Sequence, residues 1–168
     1  DWHVLTHPDR PHMIFLDEDN VENELTYGQL RQCAREVAHG LRTRGVAPGD
    51  TVAIMLPTGL DFFYAFFGIL IAGATPVPIY PPARLSQLED HLRRQAGILA
   101  NARVKVLATV PQAKQLARFL IAKVDELEHV ETVTDLREVF PDETAWPVPQ
   151  SSDLAFLQYT SGSTGNPK

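Results

Sequence analysis

Between Thr26 and Arg44 the apolar residues Leu30, Cys33, Ala34, Val37 and Leu41 recur three and four positions apart, which predicts an amphipathic helix. Thr26 and Gln29 form a capping box at its start, and Gly45 offers a left-handed cap at its end. Arg42 and Arg44 suit the negative pole of the helix dipole. Pro48-Gly49-Asp50 then reads as a turn, and Thr51 to Leu56 as a buried strand stopped by Pro57. From Leu60 to Ala74 the chain is apolar nearly all round, with Phe62, Phe63, Tyr64, Phe66 and Phe67 in succession. Such a helix, capped by Thr58, is expected to lie between layers.

The alternation continues downstream. Thr75 to Ile79 reads as a short strand, followed by the stiff segment Tyr80-Pro81-Pro82. Ser86 and Glu89 make a second capping box, opening a helix with Leu88, Leu92, Ala96 and Leu99 along one side. Val104 to Ala108 reads as a strand, Gln112 to Leu127 as a helix on Leu116, Leu120 and Val124, and Val130 to Val133 as a short strand. Pro141 to Asp153 is rich in proline and polar residues and reads as a loop. A last strand, Leu154 to Tyr159, closes the series. Helices alternating with strands predict an α/β fold, a mainly parallel sheet flanked by helices.

Composition narrows the function classes. Of 168 residues, 44% are hydrophobic and 21% charged, the balance of a globular chain. Fifteen basic against 21 acidic residues give a net charge of −6, which argues against a nucleic-acid binder. Arg84, Arg93 and Arg94 are the nearest thing to a basic stripe and read as a solvated helix face. The single cysteine, Cys33, excludes an intrachain disulfide and fits a reducing compartment, so a cytoplasmic location is expected. Neither a secretory leader nor a transmembrane segment is expected. The apolar run from Leu60 contains Asp61 and falls short of the roughly 20 residues needed to cross a bilayer. The first residue is not Met, and trimming at the start is expected.

Candidate chemistry concentrates at Thr160-Ser161-Gly162-Ser163-Thr164-Gly165-Asn166-Pro167-Lys168. The expected strand delivers this loop to the carboxyl edge of the sheet, where open parallel sheets bind ligands. Gly162 and Gly165 allow positive φ, so that several N–H groups turn inward as a nest. Thr160, Ser161, Ser163 and Thr164 add hydroxyl donors, and Lys168 adds a full positive charge. The guest that fits is a polyphosphate. A Walker A loop requires glycine before the lysine, where this chain has Pro167. A nucleophile elbow requires Gly-x-Ser-x-Gly, and Ser161-Gly162-Ser163-Thr164-Gly165 misses only the first glycine, which keeps a serine hydrolase as an alternative. A flexible surface linker is the other reading of the loop, and a non-catalytic binding module is a further reading of the chain.

Elsewhere the chemistry is weaker. His3 and His7 lie four apart, but Pro8 follows directly and no metal site is expected. Asp17, Glu18, Asp19, Glu22 and Glu24 lack the glycine of a calcium loop and read as a solvated turn. The aromatic run from Phe62 to Phe67 could line an acyl tunnel, but ordinary core packing is the preferred reading. Cys33 reads as inert filling on an apolar face.

The run Tyr159 to Lys168 resembles the phosphate-binding motif of the adenylate-forming superfamily, which includes acyl-CoA synthetases, fatty acyl-AMP ligases, luciferases and peptide-synthetase adenylation domains. Leu25-Thr26-Tyr27-Gly28-Gln29-Leu30 and Ile71-Ala72-Gly73-Ala74-Thr75-Pro76-Val77-Pro78-Ile79 resemble two upstream motifs in the expected order. The resemblance covers nearly the whole chain, starting near His7-Pro8-Asp9-Arg10. Tyr80-Pro81-Pro82, the helix Gln87 to Leu92, and Phe156-Leu157-Gln158 are most similar to fatty acyl-AMP ligases. The resemblance implies attack of a fatty-acid carboxylate on the α-phosphate of Mg-ATP, giving acyl-AMP and pyrophosphate. Transfer to a pantetheine thiol follows, on acyl carrier protein or, as an acyl-CoA synthetase would do, on coenzyme A. It implies that Thr160, Ser161, Gly162, Ser163, Thr164, Gly165 and Lys168 hold the β- and γ-phosphates, with Lys168 catalytic. It also implies that residues 1–168 are the N-terminal section of the large adenylation domain, ending at the phosphate loop. The magnesium ligand is then expected outside this stretch, and the stretch alone is expected to be inactive.

Overall fold

The computed structural model describes residues 2–16, 20–81, 88–138 and 145–160, with 88–90 by backbone alone. Four parallel strands form the central sheet: β3 (Thr51–Met55), β4 (Thr75–Pro78), β5 (Val104–Thr109) and β6 (His129–Glu131), in the order β4-β3-β5-β6. Helices α2 (Tyr27–Thr43), α3 (Leu60–Ile71), α4 (Leu88–Asn101), α5 (Pro111–Ala117) and α6 (Val133–Arg137) connect and cover it. The expected α/β architecture is present.

Two additions precede α2, where no regular element was expected. Helix α1 (Trp2–Thr6) leads to an antiparallel pair, β1 (Pro11–Leu16) and β2 (Glu22–Thr26). Glu22 and Glu24 therefore lie in a strand and not in a turn, while residues 17–19 fall outside the described residues. The apolar stretch Met13 to Leu16 was the available signal, overshadowed by the acidic segment behind it.

The successive residues of β3 point to opposite faces. Ala53 and Met55 join a cluster with Val77, Leu92, Leu99 and Leu120 on the α4–α5 side. Val52 and Ile54 join Leu30, Val37, Leu41, Ile69 and Leu136 on the α2–α3–α6 side. Each face is sealed by helices, which is why β3 from Val52 onward reads as an unbroken apolar run.

Helix α2 matches its expectation. The Gln29 amide donates to Thr26 Oγ1 at 3.2 Å, and the Thr26 amide donates to Gln29 Oε1 at 3.0 Å. Gly45 takes φ +78° and closes the far end with its N–H on Arg42 O. Other boundaries moved. Gly59, not Thr58, precedes α3, and no side chain caps it. The helix expected to run to Leu127 is only α5 followed by a 3-10 turn, Arg118–Leu120. Seven α-residues and three 3-10 residues span about 16 Å, enough to return alongside β5, and the turns beyond bring Val124 and Leu127 into the core. The strand expected from Val130 to Val133 stops at Glu131. Thr132 and Asp135 then form a capping box that opens α6. Ser86 and Arg84 lie outside the described residues.

The α2 side is packed to backbone contact. A Cβ added to Gly68 of α3 would stand 2.7 Å from Val37 Cβ and 2.8 Å from Ala34 O. One added to Gly40 of α2 would stand 2.0 Å from Leu136 O of α6. Around that contact runs an ion-pair network. Glu131 accepts from Arg44 Nε at 2.7 Å and from Lys114 Nζ at 2.8 Å, and Lys114 also reaches Asp135 Oδ2 at 2.9 Å. Burial opposes ionisation of Asp135, but bonds from the Thr132 hydroxyl and amide and from Lys114 prevail and hold its pKa down at about 2.

Two consequences can be measured. Gly40→Ala is expected to destabilise the chain by at least about 3 kcal/mol, because the clash is with backbone that cannot rotate away. Gly97→Ala, in the α4 interior with nothing within 4 Å of the new Cβ, is expected to stabilise by about 0.5–1 kcal/mol. Urea midpoints that shift in the same direction for both variants contradict this packing.

The second concerns acid. Asp135 is depressed below its ordinary value of 3.8, so its contribution is present above that value and is lost as pH falls from about 4 toward 2. Asp135→Asn is expected to flatten that part of the stability–pH curve. Identical acid limbs for the wild-type and the variant rule out this role.

Candidate functional site

The segment 154–160 forms no ladder-bonded strand, contrary to expectation. The reason lies in β4. The amides of Thr75 and Ile79 donate to Asp50 O and Ile54 O of the β3 side. Positions 76 and 78 therefore face outward, and both are proline. The outer edge of β4 offers carbonyl acceptors but no N–H donors, so half of any further ladder is missing. One bond does form, from Leu157 N–H to Pro76 O at 3.0 Å.

The side chains nevertheless keep a strand-like period of two. Leu157 and Tyr159 pack against the α4-side cluster. Phe156, on the opposite side, sits 6.1 Å from Phe66 of α3, ring to ring. The Tyr159 hydroxyl donates to Oδ1 of Asn101, the last residue of α4, at 2.5 Å. Burial raises the Tyr159 pKa above its ordinary value of 10.0, which already leaves the hydroxyl protonated at neutral pH.

The expected place of the loop, beyond the carboxyl ends of the strands, falls on residues 161–168, outside the described residues. Asn101 lies just before β5 begins, and Pro76 is the second residue of β4. Tyr159, the residue before the loop, is thus held near the amino ends of β4 and β5. Of the candidate phosphate residues, the structure describes only Thr160, which is exposed. Ser161, Gly162, Ser163, Thr164, Gly165 and Lys168 lie outside the described residues. Asn101 escaped the sequence reading, since an asparagine at a helix end reads as a cap and nothing local announces a partner 58 positions away.

Other clusters are committed to structure. Burial raises the Cys33 thiol and pushes Tyr64 up to about 12, so neither is a ready nucleophile at neutral pH. Arg137 beside them is paired with Glu36 at 2.7 Å. His3 and His12 stack on Tyr27, with ring centroids 4.6 and 4.3 Å away, and His3 Nδ1 lies 3.2 Å from His7 Nε2. Among the described residues, no group of three or more His, Cys, Asp or Glu side chains is placed to hold a metal ion. A concavity of about 480 Å³ is lined by Pro111, Lys114, Arg118, Thr132 and Asp135, but its Lys114 is already engaged by two carboxylates. Among the described residues, no helix is long and apolar enough to cross a membrane.

Comparison with known proteins gives these features a context. Bacitracin synthase 1 of Bacillus licheniformis is 37% identical over 96% of this chain, which spans 3% of that protein. Long-chain-fatty-acid–AMP ligase FadD32 of Mycolicibacterium smegmatis is 35% identical over 91% of the chain, which spans 25% of the ligase. The structure is similar to that of a fatty acyl-adenylate ligase from L. pneumophila in complex with acyl adenylate and pyrophosphate, with a TM-score of 0.74 and 31% identity. That likeness covers 99% of this chain and 28% of that one. The sequence profile described as AMP-binding enzyme matches residues 1–168 from end to end, and the chain belongs to that family.

Proposed function

We propose that the protein containing this chain activates a fatty acid by adenylation. Carboxylate oxygen attacks the α-phosphate of ATP, forming acyl-AMP and releasing pyrophosphate. The observation that carries the reading is the family match along the whole chain, joined to the ten-residue run Tyr159 to Lys168 at its end. The ligases among its relatives, one of them in complex with acyl adenylate and pyrophosphate, support a fatty acid as the carboxylate.

In this reading residues 1–168 are the N-terminal section of the adenylation domain. Thr160, Ser161, Gly162, Ser163, Thr164, Gly165 and Lys168 hold the β- and γ-phosphates. The donor set fits that guest: hydroxyls and glycine amides for many acceptor oxygens, and one ammonium for charge. Lys168 takes the catalytic role, since leaving pyrophosphate gains charge as the α-phosphate bond breaks. Magnesium would assist by neutralising the phosphates, and no residue of this chain is assigned to it. The acyl group then passes to a pantetheine thiol, on acyl carrier protein in the first instance or on coenzyme A. A cytoplasmic setting is proposed, where ATP and either thiol carrier are at hand.

The peptide synthetase relative favours a second reading, in which the carboxylate belongs to an amino acid. The two separate in an ATP–pyrophosphate exchange assay on the full-length protein. Exchange dependent on fatty acids supports the first, and exchange dependent only on amino acids replaces it with the second.

Within the full-length enzyme, Lys168→Ala is expected to lower the adenylation rate by about 10- to 150-fold, the worth of one charge-assisted hydrogen bond made mainly in the transition state. Lys168→Arg should restore part of it, a planar guanidinium being a poor substitute for a compact ammonium. Ser163→Ala should cost less, because neighbouring amides share the same oxygens. A Lys168→Ala rate within twofold of wild type, alongside an inactive Ser163→Ala, would favour a serine nucleophile instead. The 168 residues alone are expected to give no exchange above an enzyme-free blank.

A further inference from the structure

The donor-less edge of β4 leaves a problem for any loop that follows. Among the described residues, the backbone leading into Thr160 is bonded to the sheet edge at Leu157 alone, and no ladder fixes it. A binding loop whose root wanders must be ordered each time its ligand binds, and ordering a residue's backbone carries an entropy cost. The structure contains one device placed to limit that cost. The Tyr159 ring lies against the α4-side cluster, and its hydroxyl ends on Asn101 Oδ1.

Asn101 is itself held to a rigid frame. It ends α4 just before the left-handed turn at Arg103, where φ is +52°. The Thr51 hydroxyl, at the first residue of β3, shares its one hydrogen between Ala102 O at 2.6 Å and Arg103 O at 2.9 Å. The turn carrying Asn101 is thereby tied to the central strand. Tyr159 is the residue immediately before the candidate phosphate loop, so the chain of contacts runs from β3 through the turn to the loop's root.

We propose that the Tyr159–Asn101 hydrogen bond positions the nucleotide loop, with both as positioning residues that fix where Thr160 leaves the fold. The proposal rests on the adenylating function argued above. Its signature is kinetic. Loss of the bond raises the cost of ordering the loop, and that cost falls on nucleotide binding and transition state alike. The effect belongs in KM for ATP and not in kcat or in KM for the carboxylate.

The test uses ATP–pyrophosphate exchange by the full-length enzyme carrying Tyr159→Phe, Asn101→Leu, Asn101→Asp, or Tyr159→Phe with Asn101→Leu. Tyr159→Phe keeps the ring and removes only the donor. Each of Tyr159→Phe and Asn101→Leu is expected to raise KM for ATP about 3- to 10-fold, the worth of a net hydrogen bond, with kcat within twofold and the melting temperature unchanged. The double variant should be no worse than the more affected single one. Asn101→Asp retains an acceptor and should behave as wild type. Unchanged KM for ATP in both single variants, additive effects in the double, or equal loss in KM and kcat overturns the proposal. A wild-type enzyme without exchange activity overturns the functional reading first, and the positioning role with it.

Discussion

Two prolines on one sheet edge govern how residues 154–160 are held. Pro76 and Pro78 face outward from β4, and a strand laid beside them finds acceptors without donors. β3 is unaffected, because the amides of Thr75 and Ile79 remain to bond it. The sheet is therefore firm on one side of β4 and open on the other. The chain returning at 154–160 must be held by side chains more than by its backbone. Phe156 on the α3 face, Leu157 and Tyr159 on the α4 face, and one amide bond do that work.

The same constraint explains what could be read in the sequence. Leu154 to Tyr159 alternates as a strand should, and its side chains do segregate to two faces. The pattern reports burial, however, and says nothing of whether the neighbouring edge can bond. Helix α2 was legible to its caps because Thr26, Gln29 and Gly45 act within a few residues of one another. Helix α6 carries an equally local signal in Thr132 and Asp135, but the apolar residues Val130 and Val133 drew the reading toward a strand. The α5 boundary depended on how far the chain must travel to reach β6, a distance set by the assembled sheet.

The candidate site divides in the same way. Its donors, from Thr160 to Lys168, stood out by composition, since glycines, hydroxyls and a lysine in one short run point to an anion. Its support did not. Asn101 meets Tyr159 only after α4 has packed across the sheet and Thr51 has tied down the turn that follows. Side chains that act on a ligand advertise themselves by type. Those that hold them in place are ordinary residues, distinguished only by where the fold brings them.

The position of β3 bears on how the chain reaches this state. It is the first strand of the sheet in sequence, yet both its neighbours, β4 and β5, come after it. Val52 to Met55 are wholly buried in the finished molecule. During synthesis they have no complete partner until β5 has emerged, about 50 residues later, an interval of roughly 3–10 s at ordinary translation rates. Until β4 emerges, about 20 residues later, the most apolar strand of the sheet has two bare edges, and until β5 emerges it keeps one. Its protection then rests on α2 and α3, which can fold locally and cover one face, and on whatever chaperone meets the nascent chain.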